Sequence, residues 1–260
     1  MTTLLMLVRS AITGIPLSRD ALKGLSDEAW GNLLREAERQ SVTGLLYHAL
    51  SLMQDSVSIP EAVSYPLLTR AVQIETATRE MMDASRDLTG LLGQYGLHPM
   101  EMKGGAVAAL YPKPGLREYG DIDLYFPQEE ARKTAEVIRE HASGVTVAPD
   151  GSIHFRYRDL EIDGHFAYFD LSLHGDLPPV PSPEATLLML STHLLKHAMG
   201  AGAGLRHVCD MAASSVIILS PVQKRLPATA CAARLIRPGA SCGIFPSPCA
   251  MLRARRCRQS

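Results

Sequence analysis

Apolar residues recur at helical spacing through the first part of the chain. Residues 27–37 carry apolar side chains three and four positions apart, and residues 42–53 form a second short apolar stripe. The longest such pattern runs over residues 65–95 and stops at Gly96, a residue that often follows the end of a helix. We therefore predict an N-terminal helical region over residues 1–93.

The pattern changes after residue 93. Short apolar runs bounded by glycine, proline and turn residues indicate strands, and longer amphipathic runs indicate helices. In chain order, we expect strands over 97–102, 121–126, 153–158 and 160–169, and helices over 106–110, 127–141, 184–197 and 205–219. This order predicts an α+β protein with a small mixed sheet, in which residues 94–177 form the core and residues 178–220 the C-terminal helices.

The last forty residues differ from the rest in composition. Residues 221–260 hold eight of the 26 Lys and Arg residues, none of the 27 Asp and Glu residues, and four of the five cysteines. The cysteine spacing matches neither a zinc motif nor a disulfide framework. No amphipathic pattern continues here, so we expect a basic tail without regular structure, although clustered arginines can attract phosphates.

The remaining bulk properties are those of a globular protein. The 260 residues are 46% hydrophobic and 20% charged, with a formal net charge of −1, which favours neither a nucleic-acid partner nor a membrane partner. No apolar window approaches the ~20 residues that a membrane-spanning helix needs, and no basic segment precedes the short apolar stretch at the N-terminus. We expect a cytoplasmic protein.

Two closely spaced acids carry the first chemical signal. Asp121 and Asp123 stand two positions apart in a predicted strand, so their carboxylates project from one face while Ile122 and Leu124 face the other way. Like charges on one face repel each other unless a cation lies between them, and Mg²⁺ prefers oxygen ligands. The pair therefore predicts a metal site.

Two glycines upstream and a third acid downstream extend this site. Gly104 and Gly105 lie between a predicted strand and a helix, where glycine lets the backbone approach a phosphate. In the alternating stretch 160–166, Asp163 is the natural third metal ligand, with Glu161 as second choice. A phosphate cradle beside a carboxylate cluster suits in-line displacement on a triphosphate.

These motifs together resemble a known family. Their order is similar to that of a bacterial, uncharacterised nucleotidyltransferase family within the DNA polymerase beta-type superfamily, over roughly residues 85–215. The resemblance rests on these segments: Lys103-Gly104-Gly105, Leu110-Tyr111-Pro112, Pro114, Leu116-Arg117, Gly120-Asp121-Ile122-Asp123-Leu124, Asp163-Gly164-His165, His193, His197, Leu205-Arg206 and Asp210. It implies a nucleotidyltransferase-like sheet within the predicted α+β fold.

The resemblance also implies an activity. Such enzymes move a nucleoside monophosphate from a nucleoside triphosphate, with ATP among the candidates, to an acceptor, which here is unknown and is a small molecule, a saccharide or a protein. Asp121, Asp123 and Asp163 would hold Mg²⁺, or Mn²⁺ in its place. Gly104 and Gly105 would hold the β- and γ-phosphates.

Other readings of the same residues stay open. Lys103 and Arg117 suit phosphate oxygens, but a solvated lysine and a salt-bridged arginine are the alternatives. A protein of this fold that binds nucleotide without catalysis is a second hypothesis. A zinc hydrolase using His193 and His197 is a third, although the sequence shows no third ligand for it, and we expect these histidines to be packed in the core beside Asp210.

Overall fold

The computed structural model describes residues 2–53, 57–200 and 202–219. For residues 217–219 the description covers the backbone only. The predicted tail, 221–260, lies outside these residues. The helices are α1 (Thr2–Thr13), α2 (Asp27–Arg39), α3 (Thr43–Met53), α4 (Glu61–Gln94), α5 (Gly104–Ala108), α6 (Ala131–His141), α7 (Pro183–Met199) and α8 (Leu205–Leu219). The strands are β1 (Met100–Glu101), β2 (Ile122–Tyr125), β3 (Ser143–Val147), β4 (Ile153–Tyr157) and β5 (Leu160–His165). The predicted α+β class is confirmed.

The strands form a single mixed sheet in the order β1-β2-β5-β4-β3. Strand β2 pairs with β5 in parallel, and the other neighbouring pairs are antiparallel. A tight turn at Arg158 and Asp159, both with positive φ, joins β4 and β5 into an antiparallel hairpin. In this hairpin β5 is the strand that lies beside β2. The parallel register aligns Ile122 with Ile162 and Asp123 with Asp163.

Two apolar cores surround this sheet. One lies on the face that carries Ile122, Leu124 and Ile162, all fully buried, where the C-terminal half of α4 and helix α6 pack. The other joins helices α1–α3 and the start of α4 to α7 and α8, so the two ends of the described chain share one core. Helix α4 contributes to both cores and thereby connects them.

Helix ends follow recognisable local signals. The Ser26 hydroxyl accepts a hydrogen bond from the Ala29 N–H at the start of α2, and Ser182 accepts from the Ala185 N–H at the start of α7. Pro183 occupies the first turn of α7, where its missing N–H leaves no bond unmade. No helix in residues 2–53, 57–200 and 202–219 has the length and hydropathy that crossing a membrane requires.

Three of the strands differ from the sequence prediction. Strand β3 was not predicted, β1 covers only two of the six residues expected, and β5 ends four residues before Phe169. Strand β3 is mostly exposed and contains Gly144 with positive φ, so no apolar alternation marks it. Its pairing with β4 rests on backbone hydrogen bonds, which hydrophobic patterning does not reveal.

A buried ion pair joins α8 to the loop before β2. The Arg117 guanidinium donates from Nε to Asp210 Oδ1 at 2.7 Å and from Nη2 to Oδ2 at 2.8 Å, and the Tyr111 hydroxyl donates to Oδ1 at 2.6 Å. Arg117 is 5% exposed and Asp210 is 4% exposed. The remaining guanidinium nitrogen, Nη1, donates to the Gly104 carbonyl at 3.0 Å. The pair therefore holds α8 and the glycine segment, which consists of Gly104 and Gly105, in one arrangement.

Removing one member of this pair should destabilise the fold. We expect Asp210→Asn to lower the free energy of unfolding by about 3–5 kcal/mol, because it leaves the Arg117 charge buried without its counterion. Urea unfolding measures the change. Asp87→Asn is the matched control, since Asp87 pairs with Arg158 where both side chains are about half exposed, and there we expect less than about 1 kcal/mol. Equal changes in the two variants would contradict this prediction.

Candidate active site

Parallel pairing of β2 and β5 brings two acids side by side. Asp123 and Asp163 are aligned in register, so their side chains leave adjacent strands on the same face of the sheet. His165 lies two residues beyond Asp163 on that face. One ligand atom from each of Asp123, Asp163 and His165 lies within 4.8 Å of the other two, a spacing at which a single cation can be held.

Asp123 is a buried carboxylate with two close donors. Its Oδ1 lies 3.2 Å from Lys103 Nζ and 2.9 Å from His165 Nε2, and the residue is 5% exposed. Burial acts to raise the pKa of Asp123, but the hydrogen bond from His165 and the charge of Lys103 outweigh it and hold the pKa below the usual value. Asp123 is therefore ionised at neutral pH, as a metal ligand must be.

Asp163 and Asp121 are more exposed to solvent than Asp123. Asp163 is half-buried, and its Oδ1 lies 2.6 Å from Nδ1 of His154, the residue aligned with it on β4. Asp121 precedes β2 rather than lying in it, and the residue is exposed. Partial desolvation of its carboxyl, together with the charges of Asp123 and Asp163, nevertheless raises the pKa of Asp121. All three predicted acids thus interact electrostatically, while Asp121 lies outside the tightest group.

Lys103 connects Asp123 to a further acid, Asp170. The ammonium is 3.2 Å from Asp123 Oδ1 and 3.9 Å from Asp170 Oδ2, and the residue is 8% exposed. Asp170 also meets His193 Nδ1 at 2.8 Å and Lys196 Nζ at 3.1 Å. Burial acts to raise the pKa of Asp170, but these hydrogen bonds and the Lys103 charge lower it strongly. Lys103 is therefore a buried cation between two ionised acids.

The two glycines are required by the packing of the protein itself. Gly104 has φ +43°, and a Cβ atom there would lie 3.2 Å from the Tyr119 ring. A Cβ atom at Gly105 would lie 2.5 Å from Glu101 Oε1, which accepts the Gly105 N–H at 2.7 Å. Burial raises the pKa of Glu101, only partly offset by this bond and by the Ser85 hydroxyl. Phosphate binding by Gly104 and Gly105 stays a prediction.

The predicted role of Arg117 in nucleotide binding also stays a prediction. Its guanidinium lies in the interior, with nitrogens directed to Asp210 and to the Gly104 carbonyl. The alternative, a salt bridge to Glu118 or to an acid on a helix, is found with Asp210 of α8, but it is buried and not on the surface as expected. The structure thus gives Arg117 a direct contact with the glycine segment.

A cluster of three histidines adjoins Asp170. His193 and His197 of α7 meet His207 of α8, with ring centroids 4.5 Å apart for the first pair and 4.6 Å apart for His197 and His207. Desolvation, together with nearby positive charge, lowers the pKa of His197 and of His207. The expected contact with Asp210 is wrong, since that acid binds Arg117 while His193 contacts Asp170.

The sequence signal was absent or weak for several residues now seen near the acids. His154 alternates with buried Ile153 and Phe155 on β4, so strand patterning could have placed it on the acid face. Asp170 and Glu101 gave no such signal, because Asp170 follows the sheet in an irregular segment and Glu101 lies in a two-residue strand. Tertiary packing brings Asp170 to Lys103. Glu101 meets Gly105 locally, four residues along the chain, where β1 leads into α5.

Fold and site together define a nucleotidyltransferase-like protein. Residues 26–178, more than half of the chain, match a family described as uncharacterised nucleotidyltransferase, and the chain belongs to that family. The resemblance to an uncharacterised nucleotidyltransferase family is thereby confirmed, as is the assignment as a nucleotidyltransferase whose activity is unproven. The match begins in the N-terminal helices, earlier than the predicted residue 85, and ends at residue 178, before His193, His197 and Asp210. No curated protein and no solved structure matches the chain.

The donor set fits a divalent cation. Asp123 and Asp163 provide carboxylate oxygens, and the repulsion among the three acids is relieved when a cation binds near them. The carboxylates suit Mg²⁺ or Mn²⁺, both of which prefer oxygen ligands. The residues on the paired strands β2 and β5 therefore support the metal dependence expected of the family.

The buried Glu101 carboxyl predicts a pH-dependent stability. Its pKa is raised in the folded protein, so the stability that its protonated form provides is lost as the pH rises through that value. We expect Glu101→Gln to raise the melting temperature at about pH 8, with the gain shrinking toward about pH 5.

Thermal unfolding across this pH range measures the difference between variant and parent. Glu140→Gln on the exposed side of α6 is the control and should give no pH-dependent gain. A loss of stability in Glu101→Gln that is constant from pH 5 to pH 8 would show that the carboxylate is needed in its ionised form.

Proposed function

We propose that this chain is a Mg²⁺-dependent nucleotidyltransferase that moves a nucleoside monophosphate from a nucleoside triphosphate to an acceptor hydroxyl or similar group. The observation that carries this proposal is the in-register pairing of Asp123 with Asp163 on parallel strands, with His165 beside them. Asp121 completes the acidic set from the start of β2. Mn²⁺ is an alternative ion at the same residues.

The acids have separate roles in this proposal. Asp123, held ionised by Lys103 and His165, would be the central metal ligand. Asp163 would complete the metal site and orient the acceptor, with His154 fixing its carboxylate. When bound, the metal ion would neutralise charge on the triphosphate and polarise the phosphorus under attack.

Lys103 and the glycine segment would receive the phosphates. An ammonium group has three donors, and those of Lys103 reach Asp123 and, more distantly, Asp170, which leaves capacity for a phosphate oxygen. Gly104 and Gly105 would present backbone to the β- and γ-phosphates. Arg117 would act by holding the Gly104 carbonyl, so we expect it to support this segment rather than to leave Asp210.

The acceptor remains to be identified by experiment. A small molecule, a saccharide or a protein suits the proposal, and the base of the triphosphate is equally open, with ATP as the first to test. A protein that binds triphosphate and metal without transferring the nucleotide is the alternative, and measurement of binding and transfer on one sample separates the two.

The decisive variants are Asp123→Asn and Asp163→Asn. We expect Mg²⁺-dependent triphosphate binding by the parent and a loss of about 100-fold or more in nucleotide transfer in both variants, since the metal contributes several kcal/mol to the transition state. Calorimetric titration with each of the four ribonucleoside triphosphates measures binding. Transfer of α-³²P label to the protein or to components of a cell extract measures activity.

Asp176→Asn, an exposed change outside the site, is the matched control and should behave as the parent does. Transfer retained by folded Asp123→Asn protein would refute the assignment. Metal-dependent binding without transfer by the parent to any fraction of the extract would favour the non-catalytic alternative.

A further inference from the structure

A second cluster of metal-ligating side chains lies outside the acidic site. His193 and His197 are one helical turn apart on α7, and His207 reaches them from α8. One nitrogen from each ring lies within 4.8 Å of the other two. Only the packing of α7 against α8 creates this group, because His207 lies in the next helix, ten residues after His197.

The spacing is close to that of a three-histidine metal site. A zinc ion bound at 2.0–2.1 Å from each nitrogen in tetrahedral geometry brings the nitrogens to about 3.4 Å from one another. The three nitrogens already lie within 4.8 Å of one another, so a bound ion would draw them somewhat closer together. All three histidines are half-buried, so an ion held there would keep access to solvent at a fourth position.

Asp170 orients the first of these ligands. His193 Nδ1 lies 2.8 Å from Asp170 Oδ2, and because an ionised carboxylate only accepts hydrogen bonds, Nδ1 donates and Nε2 is left with a free lone pair. A carboxylate behind a histidine is the arrangement that fixes the ring and raises its basicity in metal sites. Lys196 and Lys103 hold the same carboxylate in place.

The third histidine has a buried polar atom without a partner. His207 Nε2 is inaccessible to solvent and has no hydrogen-bond partner in the structure, while Nδ1 accepts the Gly204 N–H at 3.2 Å. An unpartnered buried nitrogen is unfavourable by about 1–3 kcal/mol. A metal ion at Nε2 would give this nitrogen a partner. The ring proton would then move to Nδ1, and the hydrogen bond from the Gly204 N–H to Nδ1 would be lost.

We propose that His193, His197 and His207 bind one divalent transition-metal ion of the zinc class, with water or an exogenous ligand in the fourth position. Three imidazole nitrogens suit Zn²⁺ and its neighbours, whereas Mg²⁺ prefers oxygen ligands, so this site and the acidic site select different ions. The proposal stands independently of nucleotidyl transfer. It supplies the third ligand that the sequence did not show for His193 and His197.

Metal analysis of the full-length chain tests this site. The protein is prepared without a histidine tag, and the tail cysteines are replaced by serine in every sample so that thiolates do not contribute: Cys231, Cys242, Cys249 and Cys257. Zn²⁺ is measured by elemental analysis after dialysis. Titration with Co²⁺ gives an absorption band that reports the coordination geometry.

The variants separate this cluster from the acids. We expect one Zn²⁺ per chain in the parent, and binding at least about 10-fold weaker in His197→Gln and in His207→Gln. His174→Gln, an exposed change, and Asp163→Asn, in the acidic site, should both bind Zn²⁺ as the parent does. Circular dichroism establishes that each variant is folded.

Three outcomes would overturn the proposal. The first is a folded parent that takes up no Zn²⁺ or Co²⁺ at micromolar concentration. The second is unchanged binding in the double variant His197→Gln/His207→Gln. The third is loss of binding in Asp163→Asn alone, which would place the ion at the acidic site instead.

Discussion

The parallel pairing of β2 with β5 is the constraint on which the rest of the site depends. It sets Asp123 beside Asp163 in register, on two strands whose other face carries the fully buried Ile122, Leu124 and Ile162. Two acids so placed need positive charge nearby, because burial disfavours their ionised forms. Lys103 supplies it to Asp123, and His165 adds a hydrogen bond to the same carboxylate oxygen, so the fold holds both acids side by side on paired strands.

Further buried charges attach the helices to this sheet. Arg117 joins α8 through Asp210 to the Gly104 carbonyl, and Lys103 joins Asp123 to Asp170, which in turn meets α7 through His193. Each interaction crosses from the glycine segment to the C-terminal helices. Since a buried charge without its partner is strongly unfavourable, these contacts specify one arrangement of the helices relative to the acids. The glycine segment is the point where they meet.

Two clusters with different chemistry thus lie on either side of one acid. Asp123 and Asp163 present mainly oxygen, whereas His193, His197 and His207 present only nitrogen. Asp170 touches both Lys103 of the first cluster and His193 of the second.

The sequence by itself determined the helices, the α+β class and the nucleotidyltransferase family, and it offered Asp121, Asp123 and Asp163 as candidate ligands. Apolar periodicity and the order of Gly-Gly, Asp-x-Asp and a later Asp are local properties of the chain. The tertiary structure alone decided what these residues contact. Arg117 met a buried acid 93 residues away, Lys103 met Asp170, and His207 joined His193. Such long-range partners depend on helix packing and strand register, which no local pattern encodes.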